Sequence, residues 1–285
     1  MVVVGKVATE EDFQQFVQEL GVQGNIFVVK PNWSNAHTFT SAETLDKLFS
    51  ALKGRIKVIE GYSAWRNELN IGPERRKVIT ASNAKAKWQW IKEQDRWFLQ
   101  FSGIDKVLAK HDAEYVNVTE EVWLTRTLDP DEVRDLVDSR YGVIVSQEIY
   151  GFVPTKIYEI KGSTLISINN SRRIGEQISL STKNLFGLIP QPNRQKKWHG
   201  KDNSRLSQSI VEINKVYRSL FSPCYWINEI EGKDFLVGSK NSLESDAVTA
   251  KLLGLDPDDI DYLKHIANVF GGYDKRVLAK IPETF

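Results

Sequence analysis

The first 60 residues alternate between stretches of helical periodicity and short apolar runs, and this alternation restricts the chain to a few folds. After Thr9, and again after Ser41, apolar side chains recur at the spacing of one helix face, and a glycine follows each stretch. The runs at 25–29 and 56–59 are short and apolar, which is typical of buried strands. Strand, helix and strand within ~35 residues predict a right-handed crossover unit on a parallel sheet.

Later segments extend this pattern. Asp129 followed by Pro130 predicts a helix start, because an aspartate cap and a proline at the first helical position both favour one. Further strands are predicted at 115–118, 143–149, 156–160, 164–168, 225–230 and 235–237, and further helices from Ser204, Ser242 and Asp256. We therefore predict an α/β fold, with a mostly parallel sheet flanked by helices. At 285 residues the chain suits a single α/β domain over 1–285, or two lobes of about 1–160 and 161–285.

A tryptophan-rich segment at about 73–102 differs from the rest and is predicted as a helical insertion. Trp90, Trp97 and Phe101 fall near one face at helical spacing. We expect these three side chains to pack into the core rather than to stack on nucleic-acid bases.

Composition excludes several classes of protein. The single cysteine, Cys224, rules out an intrachain disulfide framework, a cysteine-ligated zinc site and an iron–sulfur cluster held by this chain alone. Cys224 itself is expected to be a buried, inert thiol. The 38 basic and 37 acidic side chains nearly cancel, which argues against nucleic-acid binding by bulk charge. No apolar run is long enough to span a bilayer, and the early acidic residues are unlike those of a signal peptide, so we expect a cytoplasmic protein.

The segment 178–190 is the strongest candidate for a binding site. It places three hydroxyl side chains, a lysine, an amide and a glycine ahead of an apolar run. The basic residues around it are Arg172, Arg173, Arg194, Lys196 and Lys197, and His199 follows them. Many donors with few acceptors suit an anion such as a phosphate or a carboxylate. The alternative is a solvated basic loop in which Lys183 pairs with a carboxylate.

The histidines give no sign of a metal site. The four, at 37, 111, 199 and 265, do not fall at metal-ligand spacing. His37 follows a predicted strand end, where open α/β sheets bind ligands, and His199 lies in the basic loop, so either could line a site. The sequence contains neither a nucleophile elbow nor a glycine-rich phosphate loop. We predict no transition metal and no resident cofactor, and leave open an oxygen-only Mg²⁺ or Ca²⁺ site at Asp246.

Three blocks of the sequence are distinctive when taken together. They are Lys30-Pro31-Asn32-Trp33, then Lys183-Asn184-Leu185-Phe186-Gly187-Leu188-Ile189-Pro190 with Arg194 and His199, and then Ser239-Lys240 with 245–257. In this order they resemble the domain-of-unknown-function-362 family, an uncharacterised α/β group. The blocks extend from residue 30 to residue 257, so the resemblance covers nearly the whole chain.

The resemblance implies a link to iron–sulfur chemistry, because members of that family are often fused to ferredoxin-like clusters or contain them. This chain lacks the clustered cysteines. It also carries Arg172 and Arg173 where the family places a lysine and a histidine, and Asn241 in place of an aspartate. The sequence does not decide whether an iron–sulfur partner protein is needed.

The leading hypothesis is a protein that binds an anionic small molecule between the sheet edge and the loop at 183–199. The predicted ligand-binding residues are Lys30, Asn32, Lys183, Asn184, Arg194, His199 and Asp246. Asp246 would orient a basic group or hold a cation. One alternative is a lyase, racemase or transferase in which Lys183 or His199 is the acid or base. Another is a nucleic-acid or protein interaction module that uses the tryptophan-rich helix and the basic loop.

Overall fold

A computed structural model describes residues 1–72, 86–125, 128–174, 177–191 and 194–281. The first part of the predicted tryptophan-rich helix, at 73–85, lies outside the described residues.

The described residues form a sheet of eight strands. The strands are β1 Val2–Lys6, β2 Ile26–Lys30, β3 Arg55–Glu60, β4 Glu114–Asn117, β5 Thr164–Ile174, β6 Gln177–Ser179, β7 Cys224–Ile230 and β8 Phe235–Ser239. Their order is β1-β8-β7-β5-β2-β3-β4, and β6 pairs with β5. The five strands from β7 to β4 are parallel, whereas the β1–β8, β8–β7 and β5–β6 pairs are antiparallel. The sheet is thus mostly parallel, as predicted.

Helices cover both faces of this sheet. The α-helices among the described residues are α1 Glu10–Glu19, α2 Ala42–Ala51, α3 Glu68–Ile71, α4 Trp88–Phe101, α5 Ile104–Lys110, α6 Val118–Leu124, α7 Pro130–Tyr141, α8 Thr155–Tyr158, α9 Ser181–Asn184, α10 Leu206–Leu220, α11 Ser242–Leu252, α12 Asp261–Phe270 and α13 Lys275–Ala279. Residues Arg194–His199 form a π-helix. None of the described helices is both long and apolar enough to cross a bilayer.

Two apolar cores lie on opposite faces of the sheet. Val28 of β2 packs in the core that contains α7, α10 and α12, while its neighbours Phe27 and Val29 pack in the core that contains α1, α2 and α5. Successive side chains of a strand point to opposite faces. A strand covered on both faces therefore has an unbroken apolar run, which is why β2 has no polar alternation.

The predicted helix starts at Thr9, Ser41 and Asp129 are confirmed. The Thr9 hydroxyl accepts from the Asp12 amide, and the Asp12 carboxylate accepts from the Thr9 amide, which is a capping box. Ser41 accepts from the Thr44 amide at the start of α2, and Asp129 accepts from the Asp131 amide at the start of α7. These side chains satisfy amides that the first helical turn leaves free.

The strands predicted at 143–149 and 156–160 are wrong. Gln147–Phe152 is a 3₁₀-helix and Thr155–Tyr158 is α8. Val143 and Val145 are 66% and 78% exposed, with Ile144 buried between them. β-branched side chains favour strands mainly because they fit a pleated, half-buried surface, and this segment pairs with no strand of the described sheet.

The core packing predicted for the tryptophan-rich helix holds for Trp90 and Trp97, which are partly buried against apolar clusters, but it is wrong for Phe101. The side chains that α4 buries are those of Trp88, Ile91, Asp95 and Phe98. Phe101 is 54% exposed and stacks on the partly buried ring of Trp97, with centroids 4.9 Å apart. Asp95 belongs to the inner face because it pairs with the buried Arg66. Aromatic spacing alone could not distinguish a surface stack from a core contact.

The strand order creates a crevice at the carboxyl ends of β2 and β5. The strands β2 and β5 are neighbours. From β2 the chain continues through α2 to β3, towards one edge of the sheet, and from β5 it continues through α10 to β7, towards the other edge. α2 and α10 also pack on opposite faces. Diverging connections of this kind leave a crevice outside the carboxyl ends of the strands, where open α/β sheets usually bind ligands.

Candidate ligand-binding site

A cavity of about 400 Å³ lies at the carboxyl ends of β2, β3 and β5. Six of the seven predicted ligand-binding residues line it, namely Lys30, Asn32, Lys183, Asn184, Arg194 and His199. Glu60, Arg172 and Gln191 line it as well. The divergence of the sheet thus brings together segments that are more than 150 residues apart in the sequence.

Lys30 and Glu60 form a buried ion pair at the base of this cavity. The Lys30 Nζ atom lies 2.9 Å from Glu60 Oε2, and both side chains are 3% exposed or less. Nζ also donates to the carbonyl of Pro31 at 2.7 Å and to Asn184 Oδ1 at 3.0 Å. Burial lowers the pKa of Lys30 to about 8, although the charge of Glu60 opposes the shift. With three acceptors for three N–H groups, the ammonium is fully used within the protein.

Glu60 is held as firmly as its partner. Its Oε2 atom accepts from the Trp33 amide at 3.0 Å, and its Oε1 atom accepts from the Gly61 amide at 2.8 Å. The carboxylate therefore joins the end of β3 to the loop that follows β2. Sequence reasoning missed Glu60. The available signal was a charged residue directly after a buried strand, the same position that Lys30 occupies at the end of β2.

Asn184 links the second sequence block to the first. Its Nδ2 atom lies 2.8 Å from the Lys30 carbonyl, 3.1 Å from Ser167 Oγ and 3.2 Å from the Ile168 carbonyl. Its Oδ1 atom accepts from Lys30. Asn32 is similarly engaged, because its Nδ2 atom donates to Asn169 Oδ1 at 2.7 Å and its Oδ1 atom accepts from the Ser34 amide. These two amides hold the strand ends together.

Two glycines allow the backbone to approach this ion pair closely. A Cβ atom on Gly187 would lie 2.9 Å from Glu60 Oε1 and 3.0 Å from Lys30 Nζ. A Cβ atom on Gly61 would lie 2.3 Å from the Gly187 carbonyl oxygen and 2.6 Å from the Arg194 guanidinium. The contact with the backbone oxygen of Gly187 is too short for any side chain at position 61, which therefore requires glycine, whereas a Cβ atom at position 187 would make the ends of the Glu60 and Lys30 side chains move.

The π-helix brings Arg194 and His199 to the same cavity. Its hydrogen bonds join residues five positions apart, and these two residues are five positions apart. Arg194 is 5% exposed, and its guanidinium donates to the carbonyls of Ile189 at 2.7 Å and Tyr62 at 3.0 Å. Burial lowers the pKa of Arg194 to about 10, so the side chain remains charged at neutral pH.

His199 presents one ring nitrogen as an acceptor. Its Nδ1 atom lies 2.9 Å from Asn203 Oδ1, an acceptor, so Nδ1 carries the proton. In the neutral ring, Nε2 then keeps its lone pair. Burial lowers the pKa of His199, and the charges of Lys183 and Arg194 lower it further. The ring also packs edge-on against Phe186, with centroids 4.9 Å apart.

Lys183 differs from Lys30 in having no counter-ion. It lies on α9, directly before Asn184, and its side chain is partly buried. Among the described residues, no carboxylate comes within 4.0 Å of its Nζ atom, and no hydrogen bond from Nζ is present. Burial lowers the pKa of Lys183. The predicted alternative of a lysine paired with a carboxylate is therefore not what the described residues form.

Arg172 lines the cavity from β5. Its guanidinium donates to the Thr38 hydroxyl, which in turn donates to Glu231 Oε1 at 3.2 Å. Counting the charges on the described lining residues, Lys30, Arg172, Lys183 and Arg194 are cationic and Glu60 is anionic. This excess of positive charge is local, because the chain as a whole is nearly neutral.

Asp246, predicted as a ligand-binding residue that orients a basic group or holds a cation, does not line the cavity. Its Oδ1 atom accepts from Ser181 Oγ at 2.6 Å and Asn228 Nδ2 at 2.8 Å, and its Oδ2 atom accepts from the Thr182 amide at 3.1 Å. The carboxylate is wholly buried and holds the start of α9. Since its partners donate hydrogen bonds and a hard cation needs oxygen ligands, the structure does not support a Mg²⁺ or Ca²⁺ site here.

The remaining candidates lie apart from the cavity. His37 is exposed and does not line it. Cys224 is partly buried, its thiol donates to the Phe221 carbonyl, and burial raises its pKa to about 11, as suits an unreactive thiol. Among the described residues, no three histidine, cysteine, aspartate or glutamate side chains are grouped as a metal site would require.

Comparison with models of protein families, with curated proteins and with solved structures gives no match.

Proposed function

We propose that this chain is a cytoplasmic protein that binds an anionic small molecule in the cavity between β2, β5 and the loop at 183–199. The observation that carries the proposal is Lys183, a cation that borders the cavity and has no carboxylate partner among the residues that the structure describes. A partly buried charge without a counter-ion is costly, and a bound phosphate or carboxylate would neutralise it. The cavity volume of about 400 Å³ is within the range of small-molecule sites.

The hydrogen bonds divide the lining residues by role. Lys30 and Asn184 use their polar atoms within the protein, so both support the walls, and Lys30 adds positive charge rather than a direct contact. Among the described residues, Lys183 has N–H groups left for a ligand, whereas the free ring nitrogen of His199 is an acceptor and does not bind an anion. Arg194 adds a fixed positive charge. We therefore assign direct contact with the anion to Lys183.

We also propose that the chain is a divergent member of the domain-of-unknown-function-362 family. In support, the three sequence blocks that carry the resemblance meet in space. Asn184 of the second block contacts Lys30 of the first, and Asp246 of the third contacts Thr182, directly before the second block. Such contacts are expected if the three blocks descend from one ancestral site.

A second candidate function is the lyase, racemase or transferase activity with Lys183 or His199 as the acid or base. The observation that favours it is that both side chains border one cavity and burial lowers both pKa values. Perturbed titratable groups in a cleft are a common feature of active sites.

Binding of sulfate tests the main proposal. Sulfate at low millimolar concentration should raise the melting temperature, and above Kd the stabilisation should grow with the logarithm of the sulfate concentration, reaching about 2.7 kcal/mol at 100 times Kd. Sodium chloride at matched ionic strength serves as the reference, because sulfate also stabilises proteins non-specifically at high concentration. Isothermal titration gives the stoichiometry.

Matched lysine variants identify the site. Lys183→Met should abolish saturable sulfate binding, whereas Lys196→Met, at an exposed lysine of the π-helix, should retain it. Equal affinity of the two variants, or the absence of saturable binding to the unaltered chain by sulfate, phosphate and small carboxylates, would refute the proposed function.

A further inference from the structure

The amine of Lys183 lies at the boundary between two cavities. On one side is the cavity of about 400 Å³ described above, and on the other is a second cavity of about 790 Å³. Lys183 lines both. The amine can therefore be approached by a small molecule, unlike the amine of Lys30, which is enclosed by its three acceptors.

No carboxylate of the described residues stabilises the protonated state of Lys183 at short range. Glu60, which lines the first cavity with it, is paired with Lys30. The carboxylates that line the second cavity are those of Asp202, Asp256, Asp259 and Asp261, and all four are exposed. None of them lies within 4.0 Å of the Lys183 Nζ atom. Burial lowers the pKa of Lys183, and desolvation is a condition that prepares a lysine amine for attack on a carbonyl carbon.

A proton acceptor is available beside this amine. His199 lines the first cavity, its Nδ1–H donates to Asn203, and its Nε2 atom keeps a lone pair in the neutral ring. Because its pKa is lowered by burial and by nearby cations, His199 is neutral at pH 7. A neutral imidazole can accept a proton and return it within one reaction.

We propose that Lys183 is a nucleophile that forms a Schiff base with an anionic carbonyl compound, a 2-oxo acid or a phosphorylated aldehyde, held in the cavity. This inference rests on the proposed function, because the anionic group is what the cationic lining would bind. The carbonyl carbon is then the electrophile, and the anion fixes its distance from Nζ.

The reaction balances with the groups present. The Lys183 amine, after release of its proton to solvent, donates its lone pair to the carbonyl carbon, and the C=O π electrons move to oxygen. His199 Nε2 accepts one proton from the attacking nitrogen and passes it to the carbinolamine oxygen. The nitrogen then loses its second proton to His199 as the C=N bond forms, and the hydroxyl leaves as water with that proton. The net change is amine plus carbonyl giving imine plus water, with no oxidant or reductant.

Reductive trapping tests this inference on the full chain. The protein is incubated with glyoxylate or with glyceraldehyde 3-phosphate, reduced with cyanoborohydride, and mapped by peptide mass spectrometry. We expect the adduct on Lys183 to form at least about tenfold faster than on Lys196 of the same protein, since a bound reactant has a raised effective concentration. Acetaldehyde, which lacks the anionic group, should show a smaller preference, because it reacts with the desolvated amine without being bound by the cavity, and sulfate should suppress the preference of the anionic probes. The two anionic probes distinguish carboxylate from phosphate recognition.

Sulfate binding and labelling, measured on the same protein, separate this inference from the proposed function. Lys183→Arg removes the primary amine and should lose the adduct, whereas Lys196→Arg should change neither the Lys183 adduct nor saturable sulfate binding. Saturable sulfate binding combined with equal labelling of Lys183 and Lys196 would overturn the Schiff base and leave anion binding intact. Absence of both sulfate binding and preferential labelling would overturn both. The comparison within the unaltered chain requires no variant to fold.

Discussion

The ammonium of Lys30, at the end of β2, lies 2.9 Å from the carboxylate of Glu60, at the end of the neighbouring strand β3. The pair is almost wholly buried, and each member has further hydrogen bonds to loop backbone. It therefore fixes the loops that form the cavity walls. Lys30 and Glu60 therefore hold the walls of the site, and other residues are left to contact a ligand.

The first prediction concerns this buried pair. Lys30→Met leaves the Glu60 carboxylate buried without its cation, and the free energy of unfolding should fall by about 3–5 kcal/mol. Glu114→Gln is the control, because it removes the ion pair between Lys57 of β3 and the half-exposed Glu114 of β4 and should cost less than about 1 kcal/mol. Urea unfolding measures both. Equal losses would show that the buried pair has no special structural role.

The second prediction concerns the close approach of backbone to this pair. Gly187→Ala places a methyl group 2.9 Å from Glu60 Oε1 and 3.0 Å from Lys30 Nζ, and the necessary shifts should cost about 1–3 kcal/mol. Gly272→Ala is the matched control, because its methyl group would meet no atom within 4 Å. Thermal unfolding of both variants checks the difference. A Gly187→Ala protein as stable as the control would contradict the described packing.

The third prediction concerns the pH dependence of sulfate binding. The pKa of Lys30 is about 8, so its side chain loses charge between pH 7 and pH 9, and the lowered pKa of Lys183 makes that side chain lose charge at a lower pH than an ordinary lysine. His199, whose pKa is also lowered, is already neutral at pH 7. Since sulfate keeps its charge, its affinity should fall roughly tenfold, about 1.4 kcal/mol, between pH 7 and pH 9.

Titration calorimetry at several pH values measures this decrease. Lys183→Arg should make the profile less steep, because an arginine at this position stays protonated over the whole interval and only Lys30 then loses its charge. An affinity that is constant from pH 7 to pH 9 would show that neither lysine contributes its charge to the bound anion.

The parallel part of the fold could be predicted from the sequence because its signals are local. Apolar runs such as β2 and capped helices such as α1 are fixed by neighbouring residues. The position of β1 is different, since Val2–Lys6 pairs with β8, more than 200 residues away. Which edge of a sheet accepts a strand depends on the assembled fold. The buried face of α4 could not be predicted in full for a similar reason, because Asp95 is buried through its pairing with Arg66, which is distant in the sequence.

The position of the site could be predicted from the sequence more readily than the roles of its residues. Lys30 and Lys183 each stand close to an asparagine in a distinctive motif, and the sequence treats them alike. The structure gives Lys30 three acceptors and Lys183 none among the described residues. The difference arises from Glu60, which lies beside Lys30 because β2 pairs with β3. This pairing cannot be predicted from the spacing of residues along the chain.

The last prediction concerns Asp246, whose carboxylate accepts from Ser181, Asn228 and Thr182 at the start of α9. Asp246→Asn keeps the shape of the side chain but replaces one acceptor oxygen with an NH₂ group that faces donors. The free energy of unfolding should fall by about 1–3 kcal/mol. Asp259→Asn, at an exposed aspartate, should change it by less than about 0.5 kcal/mol.

Two further measurements decide whether Asp246 acts on α9 alone. Burial raises the pKa of Asp246, so the folded protein binds more protons than the unfolded chain just above the usual aspartate pKa, and its stability falls as the pH rises through that window. Asparagine does not titrate, so the loss caused by Asp246→Asn should be larger near pH 4 than at pH 7. The folded variant should bind sulfate with unchanged affinity, because Asp246 does not line the cavity. Tighter binding by the variant would instead show that the carboxylate repels the anion and belongs to the site.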